Sequence, residues 1–241
     1  FISDKYIDVL LKSIKLDKFN KSLKVAWDPG NGAAGDIISK IVNLLPGEHT
    51  LVNENIDGMF PSHHPDPTDP KNLEQLINLV IDKKLDIGLA FDGDGDRLGV
   101  VSSSGNIVWG DQLLAFLSKE VLCDMPNSPI IADVKASQNL FQEIEKLGGV
   151  PVMWKTGHSF IKSKMKEISS PLAGEMSGHI FFADRYLGYD DGIYAALRVL
   201  ELINDKFTLD NFLNSLPKKY STQEIKIKCS DDKKFRVIEE L

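Results

Sequence analysis

The chain has 241 residues, 42% of them hydrophobic and 26% charged, with a formal net charge of −7. At about 100 to 200 residues per domain this is enough for two domains, each with its own core, and an acidic balance with no long basic run excludes a general nucleic-acid or anionic-membrane surface. There is no apolar run of membrane-spanning length and no signal-peptide order at the start, while Cys123 and Cys229 form neither a CxxC nor a zinc spacing, so a reduced, cytoplasmic setting is expected.

The opening FISDKYIDVLLKSIKL reads as an amphipathic helix with Tyr6, Val9, Leu10 and Ile14 on one side. It is expected to lead in, over residues 1–21, from another part of a longer protein. LKVAWDPGNGAAGDIISKIVNLL then reads as a strand, a Gly-rich turn and a helix with Ile37, Ile38, Ile41, Leu44 and Leu45 on one face. PIIADVKASQNLFQEIEKLG repeats that plan, its helix carrying Leu140, Phe141, Ile144 and Leu147 and stopping at Gly148 and Gly149. The echo extends further. LDIGLAFDGDGDRLGVVSSSGNIVWGDQLLAFLSKEVL and SPLAGEMSGHIFFADRYLGYDDGIYAALRVLELI both run strand, loop, strand, turn, acid, helix. Two copies of one unit account for this order. The expected fold is α/β, two tandem three-layer α/β/α domains of similar topology with small mixed sheets. Pro126 and Pro129 interrupt both periodicities, which places the expected boundary near CDMPNSP and the domains at 22–125 and 126–222, with a trailing segment at 223–241.

Between the first strand-helix unit and the aspartates, DGMFPSHHPDPTDP is a Pro-rich excursion that reads as a rigid ordered loop. FDGDGDR follows it. Asp92, Asp94 and Asp96 stand at alternate positions with only Gly93 and Gly95 between them. Carboxylates this close raise one another's pKa unless a cation relieves them. An all-oxygen set on a curling Gly-rich backbone suits magnesium. An EF-hand is excluded, because positions six and twelve from Asp92 are Arg97 and Ser103, and a haloacid-dehalogenase-type DxDx pattern is matched poorly. A plain acidic turn would leave the repulsion unrelieved. GEMSGHIFF offers Glu175, Ser177 and His179 at alternate positions, which in an extended chain send an acceptor, a hydroxyl and an imidazole to one side, as vicinal sugar hydroxyls require. A hairpin with a solvated edge is the simpler alternative. Lys135 at a strand end, and Lys155 and His158 around Gly157 ahead of a helix, are candidate contacts for phosphate.

Taken in order and spacing, DPGNGAAG, FPSHHPDP, FDGDGDR, KTGHS and GEMSGH resemble the two middle domains of the α-D-phosphohexomutases, and within them the bacterial phosphomannomutase/phosphoglucomutase group. The resemblance implies transfer of a phosphoryl group between C1 and C6 of a hexose through a hexose 1,6-bisphosphate, with a phosphoserine beside Mg2+. It implies Asp92, Asp94 and Asp96 as magnesium ligands and Arg97 near the transferring phosphate. Glu175 and Ser177 then match the sugar loop at O3 and O4, with Gly157 and His179 beside them, and Lys135 and His158 line the cleft. Hexose phosphates are the implied partners.

The family's stretch like TASHNP, which carries the reactive serine in a first domain, is not in this sequence, and neither is the Arg-x-Ser phosphate loop of a fourth. Ser62 in PSHHP belongs to the second-domain loop and is not expected to be the nucleophile. The expectation is a central piece of a mutase whose partners include the missing first and fourth domains, with STQEIKIKCSDDKKFRVIEEL as a strand linker and helix into the latter. Such a piece is expected to bind magnesium without turning over. Two other readings remain: a phosphoglucosamine mutase, which usually has Gln where Met176 stands here, and a non-catalytic sugar-phosphate-binding protein.

Overall fold

A computed structural model describes residues 2–218, 228–230 and 233–240. The strand linker expected over STQEIKI lies outside the described residues.

After helix α1 (Ile2–Lys12) come β1 (Lys24–Asp28), α2 (Ala34–Ile41), β2 (Glu48–Leu51), α3 (Glu74–Lys83), β3 (Ile87–Phe91), β4 (Leu98–Ser102) and β5 (Ile107–Val108). These strands form one sheet in the order β2-β1-β3-β4-β5, with β1 parallel to β2 and β3 and with β4 antiparallel to β3. The chain continues through α4 (Gly110–Asp124), β6 (Pro129–Asp133), α5 (Gln138–Lys146), β7 (Val150–Trp154), α6 (His158–Ile168), β8 (Leu172–Gly174), β9 (Ile180–Phe182), α7 (Gly192–Leu202) and α8 (Leu209–Ser215). The second sheet runs β7-β6-β8-β9, two parallel pairings followed by one antiparallel pairing, where the first sheet adds a second antiparallel pairing, β4 with β5. The internal echo is therefore real at the level of topology: two α/β units with small mixed sheets.

Each sheet is covered on both faces, and the period of two along its strands shows which residues serve which face. In the first sheet Val25, Trp27, Leu89, Phe91 and Val100 join the main core, while Ala26, Ala90 and Val101 turn to the other side and meet Leu76 and Val80 of α3. In the second, Ile130, Ala132, Leu172 and Ile180 join the same main core, and Ile131, Ala173 and Phe181 meet Ile161 and Met165 of α6. One apolar cluster thus runs through both units. Its middle is built by α4 and α7, the two helices in corresponding places of the echo. They pack on each other: α4, although it follows β5 in the chain, lies on β8 and beside α5, and α7 lies on β3 and β4 of the first sheet as well as on β9. Helix α8 adds a polar tie, Ser102 Oγ donating to Asp210 Oδ1 at 2.7 Å.

Two periodicity readings shift by a few residues. Helix α2 ends at Ile41 and continues as a 3-10 turn over Val42–Leu44, which rotates Leu44 out to solvent while Ile38, Ile41 and Leu45 stay buried. On α1, Ile7 takes the place expected for Val9, which is exposed, beside buried Leu10 and Ile14.

A buried charge network holds the middle helices together. Arg198 of α7 is 1% exposed. It makes a two-pronged pair with Asp184 at 2.9 and 2.8 Å and reaches Glu120 of α4 at 2.9 Å. Arg185 joins Glu120 at 3.1 Å to Glu201 at 3.0 Å. Burial opposes the charge on Glu120, but the two arginines outweigh it and hold the carboxyl at about 2. Removing one member of such a network leaves its partners charged and dry. Arg198→Leu is expected to lower stability in urea unfolding by about 3–5 kcal/mol; a loss below about 1 kcal/mol would mean that water or rearrangement replaces the arginine.

Candidate functional site

The aspartate loop leaves the end of β3 and returns as β4. Its three carboxylates are not equivalent along an extended chain, because the loop curls: Asp92 is buried, Asp94 exposed and Asp96 half-buried. Asp92 organises the curl. Its Oδ1 accepts from the backbone N–H of Gly95 at 3.1 Å and of Arg97 at 3.0 Å, and its Oδ2 from Arg97 Nε at 2.6 Å. The curl still gathers the set, since one ligand oxygen from each of Asp92, Asp94 and Asp96 lies within 4.8 Å of the others. Burial, with the nearby charges of Asp92, Asp94 and Asp190, pushes the Asp96 carboxyl up to about 6.

The GEMSGH stretch is a tight connection between β8 and β9, and this corrects the expected alternation. Glu175 N–H donates to His179 O and Gly178 N–H donates to Glu175 O, so Glu175 and His179 are cross-strand neighbours with Ser177 in the turn. Glu175 is buried and one of its oxygens, Oε1, accepts from the N–H of Gly157. Gly157 caps α6, and His158 is the first residue of that helix. Glu175 therefore meets Gly157, and the ring of His158 stands 6.0 Å from that of His179, while Ser177 lies in the turn between Glu175 and His179. Lys135 is exposed beyond the end of β6, close to buried Asp133, whose Oδ2 accepts from Thr156 Oγ1 at 3.3 Å and Met176 N–H at 3.4 Å.

The two loops meet directly. Arg97 and His179 form an antiparallel bridge, and Leu98 N–H donates to Gly178 O at 3.0 Å. Gly178 has φ +94°, and a Cβ there would stand 2.8 Å from Leu98 O. On the other flank Gly192 N–H, at the start of α7, donates to Gly95 O at 3.1 Å, and a Cβ on Gly192 would come within 2.8 Å of the carbonyl oxygens of Gly95 and Arg97. Both contacts need the bare glycine backbone.

Sequence reasoning missed Asp190, which ties this junction together. Its side chain is 6% exposed; Oδ1 accepts from Lys162 Nζ at 2.9 Å and Oδ2 lies 3.1 Å from His179 Nδ1 and 3.6 Å from His158 Nδ1. Burial acts against charge on Asp190, yet His179 and Lys162 outweigh it and hold its carboxyl far below the usual range. His179 is shifted the opposite way. Burial disfavours its imidazolium, but Asp190 and Asp96 more than compensate and raise its pKa. The only hint in sequence was the acid that precedes the last helix of each echoed unit.

The FPSHHPDP excursion braces the aspartate loop from behind. Asp66 Oδ1 stands 3.4 Å from Arg97 Nη1, and Pro65 and Phe60 lie against Gly93. His63 Nε2 meets the wholly buried Asp28 Oδ2 at 2.9 Å while Nδ1 donates to His64 O at 3.0 Å. With both ring nitrogens facing oxygens, the charged form of the imidazole is favoured and its pKa is raised.

Family profiles match this chain in two stretches: phosphoglucomutase/phosphomannomutase alpha/beta/alpha domain II over residues 4–105, and domain III of the same enzymes over residues 109–220. The chain belongs to the phosphoglucomutase/phosphomannomutase family. It is 47% identical along its full length to a phosphomannomutase/phosphoglucomutase of Pseudomonas putida, covering 51% of that protein, and 44% identical to a phosphoglucomutase of Neisseria meningitidis serogroup A, covering 52% of it. Among solved structures, a phosphoglucomutase/phosphomannomutase family protein from Burkholderia thailandensis superposes with a TM-score of 0.86 at 44% identity, over 92% of this chain and 48% of that one. The chain spans about half the length of the curated relatives it matches. Among the described residues no helix is long and apolar enough to cross a membrane.

Two outcomes follow from the geometry of this family member. Gly178→Ala should cost about 1–3 kcal/mol in chemical unfolding, from the positive φ and the clash at Leu98, and should speed hydrogen exchange at the Leu98 amide; unchanged exchange would show that the loops stay paired without it. For His63, the hydrogen bond to Asp28 is the main cause of a pKa raised above the unfolded value of about 6.5. Its stabilising contribution is complete below about pH 6.5 and is lost as pH rises through the folded value. A pH series of unfolding midpoints should show this decline in the parent and lose it in His63→Gln; an identical decline in both would assign it to another group.

Proposed function

We propose that this chain supplies the metal-binding and sugar-binding parts of a phosphohexomutase site, which interconverts hexose 1-phosphates and hexose 6-phosphates through a hexose 1,6-bisphosphate. The observation that carries the reading is the backbone pairing that sets a three-carboxylate loop against the Glu175–His179 turn. A charged centre and a hydrogen-bonding centre are thereby fixed at one junction, as binding the phosphate and hydroxyl ends of a single small molecule requires.

Asp92, Asp94 and Asp96 would hold Mg2+. The fit is chemical: the donors are all hard oxygens, and Asp92, with about four lone-pair sites and three hydrogen bonds, keeps acceptor capacity. When bound, the ion neutralises charge on phosphoryl oxygens. Arg97, its Nε on Asp92 and its Nη1 toward Asp66, offers Nη2 to the same oxygens as they gain charge. Glu175 has Oε1 fixed by Gly157 and leaves Oε2 to accept from a sugar hydroxyl, with Ser177 and His179 beside it. Lys135 and His158 meet the second phosphate. The serine that carries the phosphoryl group is assigned to the part of such enzymes that this chain does not span, so the chain alone should not turn over.

Calorimetric magnesium titration tests the reading. Asp94→Asn should weaken binding at least about tenfold without lowering the unfolding midpoint, because loss of one charge relieves the loop's repulsion. Glu175→Ala should keep magnesium affinity and lose affinity for glucose 1,6-bisphosphate. Equal magnesium affinity in the parent and Asp94→Asn would refute the metal assignment, and conversion of glucose 1-phosphate to glucose 6-phosphate by the purified chain would refute the division of labour.

A further inference from the structure

Asp96 belongs to a second cluster besides the three-aspartate one. Its Oδ1 lies 3.4 Å from His179 Nδ1, which is 3.1 Å from Asp190 Oδ2, and the ligand atoms of all three residues fall within 4.8 Å of one another. We propose that Asp96, His179 and Asp190 form a second metal site, which takes a transition ion of zinc's character rather than magnesium.

Four features carry this. The first is incomplete pairing: His179 Nδ1 and Asp190 Oδ2 are buried atoms that face each other at 3.1 Å as an ion pair, yet neither makes a hydrogen bond of acceptable geometry. Buried polar atoms are normally satisfied, so two at one spot, turned toward each other off the hydrogen-bonding axis, call for a ligand. The second is spacing. Zinc bonds of about 2.0 to 2.2 Å in a tetrahedron put ligand atoms about 3.3 to 3.6 Å apart; the 3.4 Å found here falls in that range and the 3.1 Å just short of it. The third is donor type: one imidazole with two carboxylates is a borderline set that favours zinc-like ions, whereas the all-carboxylate loop favours magnesium.

The fourth is support. The Arg97–His179 and Phe181–Asp190 backbone bridges hold the ligands or their neighbours on adjacent extended segments. The His179 ring lies between the rings of His158 and Phe181, at centroid distances of 6.0 and 6.3 Å and with small interplanar angles, which fixes the direction of Nδ1. Asp190 Oδ1 is occupied by Lys162, as outer-shell partners commonly orient a ligating carboxylate. His158 Nδ1, 3.6 Å from Asp190 Oδ2 and 3.1 Å from Lys162 Nζ, stands outside the ligand group. Because Asp96 is common to both clusters, zinc in the second site withdraws a carboxylate from the first. The two ions then antagonise each other while resting mainly on different residues. Such an ion also bridges the two units.

Calorimetric titration with zinc chloride, on the parent and on His179→Ala, Asp190→Asn, Asp94→Asn and Asp96→Asn, decides the matter. The parent is expected to bind zinc, and His179→Ala to bind it at least about tenfold more weakly with magnesium affinity within about twofold of the parent. Asp94→Asn should retain zinc and Asp96→Asn should lose both ions. Circular dichroism establishes that each variant is folded, and His179→Asn stands in should His179→Ala not be. No zinc uptake by the parent, or zinc affinity unaffected by the His179 and Asp190 variants, overturns the proposal. The zinc arm does not depend on magnesium binding: zinc uptake through His179 with no magnesium uptake would sustain this site and sink the assignment of the aspartate loop.

Discussion

The short backbone pairing between the aspartate loop and the β8–β9 turn is the constraint on which the rest of the molecule depends. Leu98 N–H to Gly178 O and Gly192 N–H to Gly95 O fasten the two units at their chemically rich ends. Side-chain contacts alone could not hold this register, because long polar side chains change rotamer at little cost. Backbone groups cannot. Two glycines, at 178 and 192, are required because the opposing carbonyls come closer than any Cβ tolerates.

From that junction the electrostatics follow. Carboxylates of Asp92, Asp94, Asp96 and Asp190 converge on a small volume, and the protein answers with Arg97, His179, His158 and Lys162 around the rim. The compensation is uneven. Asp190 is held ionised by two cationic neighbours, while at Asp96 burial and three nearby acids outweigh His179 and push the carboxyl up to about 6. A local shortage of positive charge at Asp96, beside a surplus at Asp190, is the condition in which an added cation gains most.

Much of the architecture was legible because it rests on local periodicity. Strands buried on both faces, as along Val25 to Trp27 and Ile130 to Ala132, appear in sequence as short apolar runs, and the order of strands and helices repeats visibly. Helix ends were less legible, since Leu44 looks periodic but falls on a 3-10 turn that rotates it to solvent. At the site, the aspartates and Glu175, Ser177 and His179 could be picked out by type and spacing, although alternation misjudged their directions because both stretches curl. Asp190, Asp28 with His63, and the Arg198 network could not. Their significance lies in partners far away in the chain, Arg198 meeting Glu120 across 78 positions and Asp28 meeting His63 across 35.

Helix α7 ties the fate of the two units together. It lies on β3 and β4 of the first sheet as well as on β9 of the second, so the apolar face of the first sheet is finished by a helix that comes late in the chain. A gene cut between the repeats would take α7 away from the first sheet and leave that face sticky and unroofed, and the repeats should melt together rather than in turn.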